Sequence, residues 1–323
     1  MVTYGNRKIL CYNIEVVVKV EKYGDVLYKI IGGNGMIQKE YTLANGMKIP
    51  AIGFGTYNPK GGDNVKMILT AMEAGYRYFD TASLYGTERA LGNAVKESGI
   101  SRQELFIASK VWIDEMGYEE TKKAFERSLN RLQMDYLDLY LIHWPRRTEG
   151  DTDWKERDLE TWHAMEDLYK EGKIRGIGLS NFLPHHLDNI IENATVMPVV
   201  DQLEIHPGYS QEAAVAYCKE KSVLVQAWSP LGRSQLLEHP ILLQMAEKYG
   251  KSVAQISLRF LLQKSIIPLV KASGMERMKE NLNIFDFEIN REDMSILECM
   301  PQNAWLGEHP DFCIPKAKSN FEQ

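Results

Sequence analysis

Cysteine is scarce in this chain and too dispersed for a shared task. The four residues, Cys11, Cys218, Cys299 and Cys313, form no CxxC pair, so neither zinc-finger spacing nor a dense disulfide framework is present. Isolated thiols fit a reducing compartment. Long apolar runs are also missing, and no membrane-spanning helix is expected. Nothing at the N-terminus reads as a signal peptide, because the apolar stretch at residues 9–12 is interrupted by Asn13 and Glu15 before the valines at 16–18. A cytoplasmic protein is the simplest reading. Positive charge is not in excess: 38 basic and 44 acidic residues give a net charge of -6, which leaves no electrostatic footprint for nucleic acid. No GxGxxG motif follows an early strand, so the fingerprint of an open dinucleotide-binding sheet is absent. A metal-dependent barrel hydrolase would need a carboxylate–histidine cluster. His185-His186 is the only close histidine pair and reads as helix entry, so no metal is expected.

What is present is a long alternating pattern. The 323 residues are 44% hydrophobic and 25% charged, enough to bury a full-sized core. Eight short apolar runs occur at 51–54, 76–79, 105–108, 137–142, 174–179, 199–203, 224–227 and 266–270. The segments between them read as amphipathic helices, clearest at 119–132, 159–169 and 252–262. Strand–helix alternation predicts a parallel sheet. Eight repeats of the unit favour a closed (β/α)8 TIM barrel over an open doubly wound sheet, although the pattern alone permits both. Asn45-Gly46 between two short apolar stretches predicts a hairpin with a type I′ turn ahead of the barrel. One more helix is expected near 291–299, then a loop-like tail with Trp305, His309, Pro310 and Phe312. A monomer is the simplest expectation.

In a closed barrel, chemistry gathers at the carboxyl ends of the strands. Followed to their ends, the predicted strands reach Asp80, with Tyr85 in the next loop, then Lys110 with Trp112, and His143-Trp144. The later strands reach Ser180-Asn181, Gln202, Trp228-Ser229 and Lys271. Each has an ordinary explanation alone: a helix cap for Asp80, loop packing for Tyr85, a solvated strand end for Lys110, a satisfied core histidine for His143. Their convergence on one rim favours a shared site.

The stretches Asp80-Thr81-Ala82-Ser83-Leu84-Tyr85-Gly86, Leu141-Ile142-His143-Trp144-Pro145 and Gly178-Leu179-Ser180-Asn181-Phe182, in this order, resemble the aldo-keto reductase superfamily. Gly53-Phe54-Gly55-Thr56 and Gln226-Ala227-Trp228-Ser229-Pro230-Leu231-Gly232 extend the likeness, which runs from about residue 41 to 312. The short loops are similar to those of bacterial members such as 2,5-diketo-gluconate reductases. The resemblance implies NADPH-dependent reduction of a small-molecule carbonyl substrate. Tyr85 would be the proton donor, assisted by Lys110, Asp80 and His143. Gly55 and Thr56 would contact the cofactor, Ser180, Asn181 and Gln202 would hold the carboxamide of its nicotinamide, and Trp228 would stack on the ring. Ser229, Leu231 and Gly232 would follow the pyrophosphate, and Lys271, Ala272, Ser273, Arg277, Glu280 and Asn281 would hold the adenosine end. Relatives usually carry serine or threonine where this chain has Ala272, so one phosphate contact is in question. Tyr57, Trp112, Trp144 and Trp305 are candidates for the substrate wall. The loop from 232 to 239 is too short for a long flap over the cofactor.

The residue types suit the chemistry. Carbonyl reduction needs a hydride, which no side chain supplies, and a proton. Tyrosine holds its proton at neutral pH, and a nearby lysine cation is expected to lower its pKa. The rival reading is a barrel that binds NADPH and senses redox state without turnover. The resemblance begins well after the start of the chain, so residues 1–35 form a leader and 36–323 the barrel domain. Met36 is a candidate natural start. If the leader is instead an appendage, 14–20 and 25–31 are candidate paired strands.

Overall fold

The computed structural model describes residues 27–30, 37–59, 61–302 and 308–312. Eight parallel strands close into a barrel: β4 (Gly53–Gly55), β5 (Tyr78–Asp80), β6 (Phe106–Val111), β7 (Leu139–Ile142), β8 (Ile177–Ser180), β9 (Val200–Glu204), β10 (Leu224–Trp228) and β11 (Ile267–Val270). They pair in chain order, and β11 closes the ring against β4. Each expected apolar run supplies one barrel strand.

The helices form the outer layer: α1 (Asn64–Ala74), α2 (Glu88–Ser98), α3 (Tyr118–Leu132), α4 (Trp154–Lys170), α5 (Pro184–Ile191), α6 (Glu212–Glu220), α7 (Pro240–Tyr249), α8 (Val253–Gln263), α9 (Met275–Leu282) and α10 (Arg291–Glu298). α3 illustrates why. Thr121, Ala124, Phe125, Ser128, Leu129 and Leu132 make its buried stripe, with Glu119 and Glu120 in the first turn and Arg131 in the last, as helical periodicity and the helix dipole favour. Ser252 caps α8 by accepting from the Gln255 backbone N–H, and the Gln255 side chain answers at Ser252 N–H. α4 starts at Trp154, one turn earlier than its apolar spacing suggested, because Trp154 is itself buried.

Among the described residues, three strands lie outside the barrel sheet: β1 (Leu27–Ile30), β2 (Ile37–Thr42) and β3 (Lys48–Pro50), paired antiparallel. The expected hairpin is β2–β3, but its turn differs. Gly46 has φ +83 while Asn45 is not left-handed, and Gly46 N–H donates to Leu43 O. This is the pattern of a type I turn closed by a glycine bulge. Leu27–Ile30 pairs with residues 37–40 of β2, while 14–20, its expected partner, lie outside the described residues.

The period of two along each strand divides the core. Inward-facing Tyr78, Phe106, Ala108, Leu139, Leu141, Val200, Ile267 and Leu269 form one cluster, joined by Leu43 and Ile49 of the hairpin. The hairpin thus plugs the amino-terminal end of the barrel. Outward-facing Phe79, Ile107, Tyr140, Ile142 and Val225 join the helices in the larger cluster. Gly178 permits close strand approach: a Cβ there would sit 2.6 Å from Val200 O.

Candidate active site

Continuing the inward-facing parity toward the carboxyl ends changes the chemistry. Two residues beyond Tyr78 stands Asp80, two beyond Ala108 stands Lys110, and two beyond Leu141 stands His143. Gln202 follows Val200, and Lys271 follows Leu269, at the same spacing. These side chains therefore emerge at one rim, around a cavity of 690 Å³.

At its floor Lys110 Nζ lies 2.5 Å from Asp80 Oδ1, 3.0 Å from Thr81 O and 3.4 Å from the Tyr85 hydroxyl. The Tyr85 hydroxyl is also 3.4 Å from His143 Nε2. Gln202 Nε2 donates to the other Asp80 oxygen at 3.0 Å. Asp80 and Lys110 are buried, so this is a neutralised pair inside the barrel rather than a free cation. Trp112 stands edge-on to His143 and Tyr57 lies beside Tyr85, with ring centroids 5.0 Å apart in each case. A short 3-10 turn, Ser83–Tyr85, presents Tyr85. The buried Ser83 hydroxyl donates to Glu115 at 2.7 Å, and Arg127 holds the other Glu115 oxygen.

The protonation states follow from burial. Burial, with the Asp80 carboxylate and the Tyr57 hydroxyl, holds the Tyr85 phenol well above its usual value. The lowering expected from a lysine cation is therefore reversed: the cost of burying a phenolate, with the Asp80 charge added, outweighs it. Burial also lowers Lys110, against the opposing pull of Asp80. His143 is pushed well below its ordinary value by burial and then by Lys110, and is neutral.

Along one wall the carboxyl ends of β8 to β10 are knitted together. Ser180 Oγ donates to Gln202 O, Asn181 Nδ2 to His143 O, and Trp228 Nε1 to Asn181 Oδ1 at 2.8 Å. Asn181 and Ser229 have φ of 64° and 49°. Such left-handed backbone costs about 1–2 kcal/mol in residues with a Cβ, and here it aims both residues into the cavity lining.

The cavity brings together Gly55, Tyr57, Asp80, Tyr85, Trp112, His143, Trp144, Ser180, Asn181, Gln202, Trp228, Ser229, Leu231 and Lys271. Thr56 is fully buried behind it, with its hydroxyl on Asp80 O and Thr87. Gly232 is buried in the short 3-10 segment Gly232–Glu238, and no long flap follows β10. Ala272, Ser273, Arg277, Glu280 and Asn281 lie beyond the lining at α9, with Ser273 and Arg277 exposed and Asn281 buried. Trp305 lies outside the described residues. The sequence reading missed Arg233 and Glu308, which line the mouth as an ion pair. Nothing in their spacing, 75 residues apart, signals contact. It also missed that the fold gives His185-His186 a carboxylate, Asp311.

The aldo/keto reductase family model matches residues 51–300. The chain belongs to the aldo/keto reductase family. It is an NAD(P)H-dependent aldo-keto reductase, an oxidoreductase. It is 45% identical to an uncharacterized oxidoreductase, YtbE, of Bacillus subtilis over 280 residues, 85% of this chain and 97% of that one. It is also 45% identical to the glyoxal reductase of the same organism over 270 residues, covering 83% and 95%. Among solved structures it resembles an aldo/keto reductase from Brucella melitensis (TM-score 0.75, 40% identity, covering 80% and 97%). A Bombyx mori aldo-keto reductase in complex with NADP is also similar (TM-score 0.77, 32% identity, covering 85% and 98%).

Proposed function

We propose that the protein reduces small aldehydes or ketones to alcohols with NADPH, and that Tyr85 delivers the proton. The observation that carries this is the Tyr85 hydroxyl at the cavity floor, within 3.4 Å of both Lys110 Nζ and His143 Nε2. A carbonyl oxygen seated between Tyr85 and neutral His143 meets an acid that keeps its proton until charge develops. Lys110, fixed by Asp80, stabilises the phenolate left behind. His143 offers no competing positive charge and orients the oxygen through Nε2. Trp112, Trp144 and Tyr57 form an apolar surround that suits small uncharged carbonyls. The glyoxal reductase among the relatives points the same way.

The residues fit a nicotinamide dinucleotide. The cavity extends from Tyr85 past Trp228 to Lys271, with an indole face for a flat ring, carboxamide and hydroxyl groups beside it, and a cation at the far end. The nicotinamide supplies the hydride when bound. Ser180, Asn181 and Gln202 would hold its carboxamide, Ser229, Leu231 and Gly232 would line the pyrophosphate, and Lys271 with Arg277 would favour a 2′-phosphate. Initial rates with glyoxal, methylglyoxal and simple ketones, under NADPH and NADH, test the reading. Turnover of NADPH with small aldehydes is the expected result. Tight NADPH binding without turnover on any of them would favour a redox-sensing barrel instead.

A further inference from the structure

The segment 308–312 is tied to the barrel at two places on its carboxyl-end rim. Glu308 pairs with Arg233 of the loop after β10 at 2.5 Å. Three residues later, Asp311 Oδ1 collects Arg146 at 3.1 Å, His185 Nε2 at 3.2 Å and His186 Nε2 at 3.1 Å. Arg146 belongs to the loop after β7 that carries His143 and Trp144. The two histidines open α5, after β8. In the ring, β8 and β9 stand between β7 and β10. The two anchors therefore lie on either side of the β9 end that carries Gln202, and Glu308 itself lines the cavity.

The Asp311 hub is built into the fold. Its side chain is only 13% exposed and that of His186 is fully buried. Arg146 lies 5.0 Å from the Trp154 ring centre, and both histidines stand edge-on to that ring. Asp311 N–H donates to His309 Nδ1, which shapes the turn. The three ring and carboxylate atoms are also close enough together for a cation. The hydrogen bonding opposes that use. The Leu183 N–H donates to His186 Nδ1 at 3.2 Å, and burial keeps His186 neutral. A neutral imidazole has one N–H, so Nε2 carries it and faces Asp311, though off the line of a good hydrogen bond. Arg146 already supplies positive charge to the same oxygen.

We propose that Asp311 is a positioning residue for carbonyl reduction: its contacts with Arg146, His185 and His186 hold the 308–312 segment across the rim as a wall of the substrate pocket. This rests on the reading of the cavity as a carbonyl site. The test compares wild type with Asp311→Asn, Asp311→Glu and His185→Gln. Hydrogen–deuterium exchange of 308–312 is read without turnover, and steady-state kinetics use methylglyoxal and NADPH. Losing a charged contact should raise KM in Asp311→Asn about tenfold with kcat held within about twofold. Exchange in the segment should rise in parallel, NADPH affinity should stay unchanged, Asp311→Glu should recover most of the loss, and His185→Gln should shift both readouts weakly in the same direction. Unchanged exchange in Asp311→Asn overturns the anchor, whether or not the wild type turns over. Raised exchange with unchanged KM overturns its role in the pocket. A wild type without turnover refutes the carbonyl reading, and the pocket role with it, separately from the exchange result. A zinc-dependent rise in wild-type melting temperature that His185→Gln abolishes would replace the anchor with a metal site.

Discussion

The lower and upper halves of the barrel interior are built from the same strands yet behave as different materials. Below, Tyr78, Phe106, Leu139, Leu141 and Ile267 fill the space with apolar volume under a hairpin plug. Above, one pleat further along, Lys110 and Gln202 both pair with Asp80, and Asp80, His143 and Gln202 line a cavity. The lower half excludes water by packing. The upper half keeps buried charge by pairing it, and burial keeps Tyr85 a neutral acid. Stability and chemistry are thus separated by one step of two residues.

Tyr85→Phe should break the upper half most severely. Loss of a general acid lowers turnover by about 10²–10⁴-fold, while the melting temperature and NADPH affinity stay near wild type. Stopped-assay turnover and cofactor fluorescence quenching, measured side by side, decide it, and a fully active variant would end the proposed mechanism. Leu141→Ala is the mirror experiment in the lower half. A buried Leu→Ala costs about 2.7–5 kcal/mol, read by urea unfolding, with residual kcat little changed. A large kcat loss without destabilisation would erase the distinction between the halves.

The outward face offers a third probe. Burial pushes the Asp201 carboxyl up to about 8, and Cys218 is the side-chain neighbour 3.8 Å away. The folded state therefore holds a proton that the unfolded chain has released. This group adds no penalty below its ordinary range, near pH 4, and stability then falls as pH rises toward 8. Asp201→Asn should remove that slope, so the difference in melting temperature between mutant and wild type should grow from pH 5 to pH 8. A constant difference would show that Asp201 is already charged.

At the rim, Arg277→Ala should weaken NADPH by about 1.5–3 kcal/mol, the value of one charged hydrogen bond, and leave NADH alone. Equal losses for both would assign Arg277 a structural part. The smallest effect is expected from the leader. A chain beginning at Met36 loses β1, which pairs with β2 outside the barrel sheet, and should keep its melting temperature and turnover. A marked loss of either would make residues 1–35 part of the working barrel.

The barrel was legible because each strand is a short apolar run, and helices such as α3 keep their apolar stripe at helical spacing. The floor of the site was legible for a related reason: Asp80, Lys110 and His143 are polar residues at the ends of apolar runs. The hairpin was expected, but not its turn, because Asn-Gly serves two turn geometries and the flanking register chooses between them. Tyr85 was expected to hold its proton, but the direction of its pKa shift was not legible, because burial of the phenol is set by the fold and outweighs a neighbouring cation.

Local sequence determined the alternation, the helix caps and which residue types stand at the strand ends, since these depend on neighbours within a few positions. Tertiary structure alone decided that Arg233 meets Glu308, that Ser83 hangs from Glu115, and that Asp311 joins a histidine pair 125 residues away. Those contacts are made because the folded barrel gathers loops from separate strands at one rim. A charge in a loop carries no local periodicity that could name its partner.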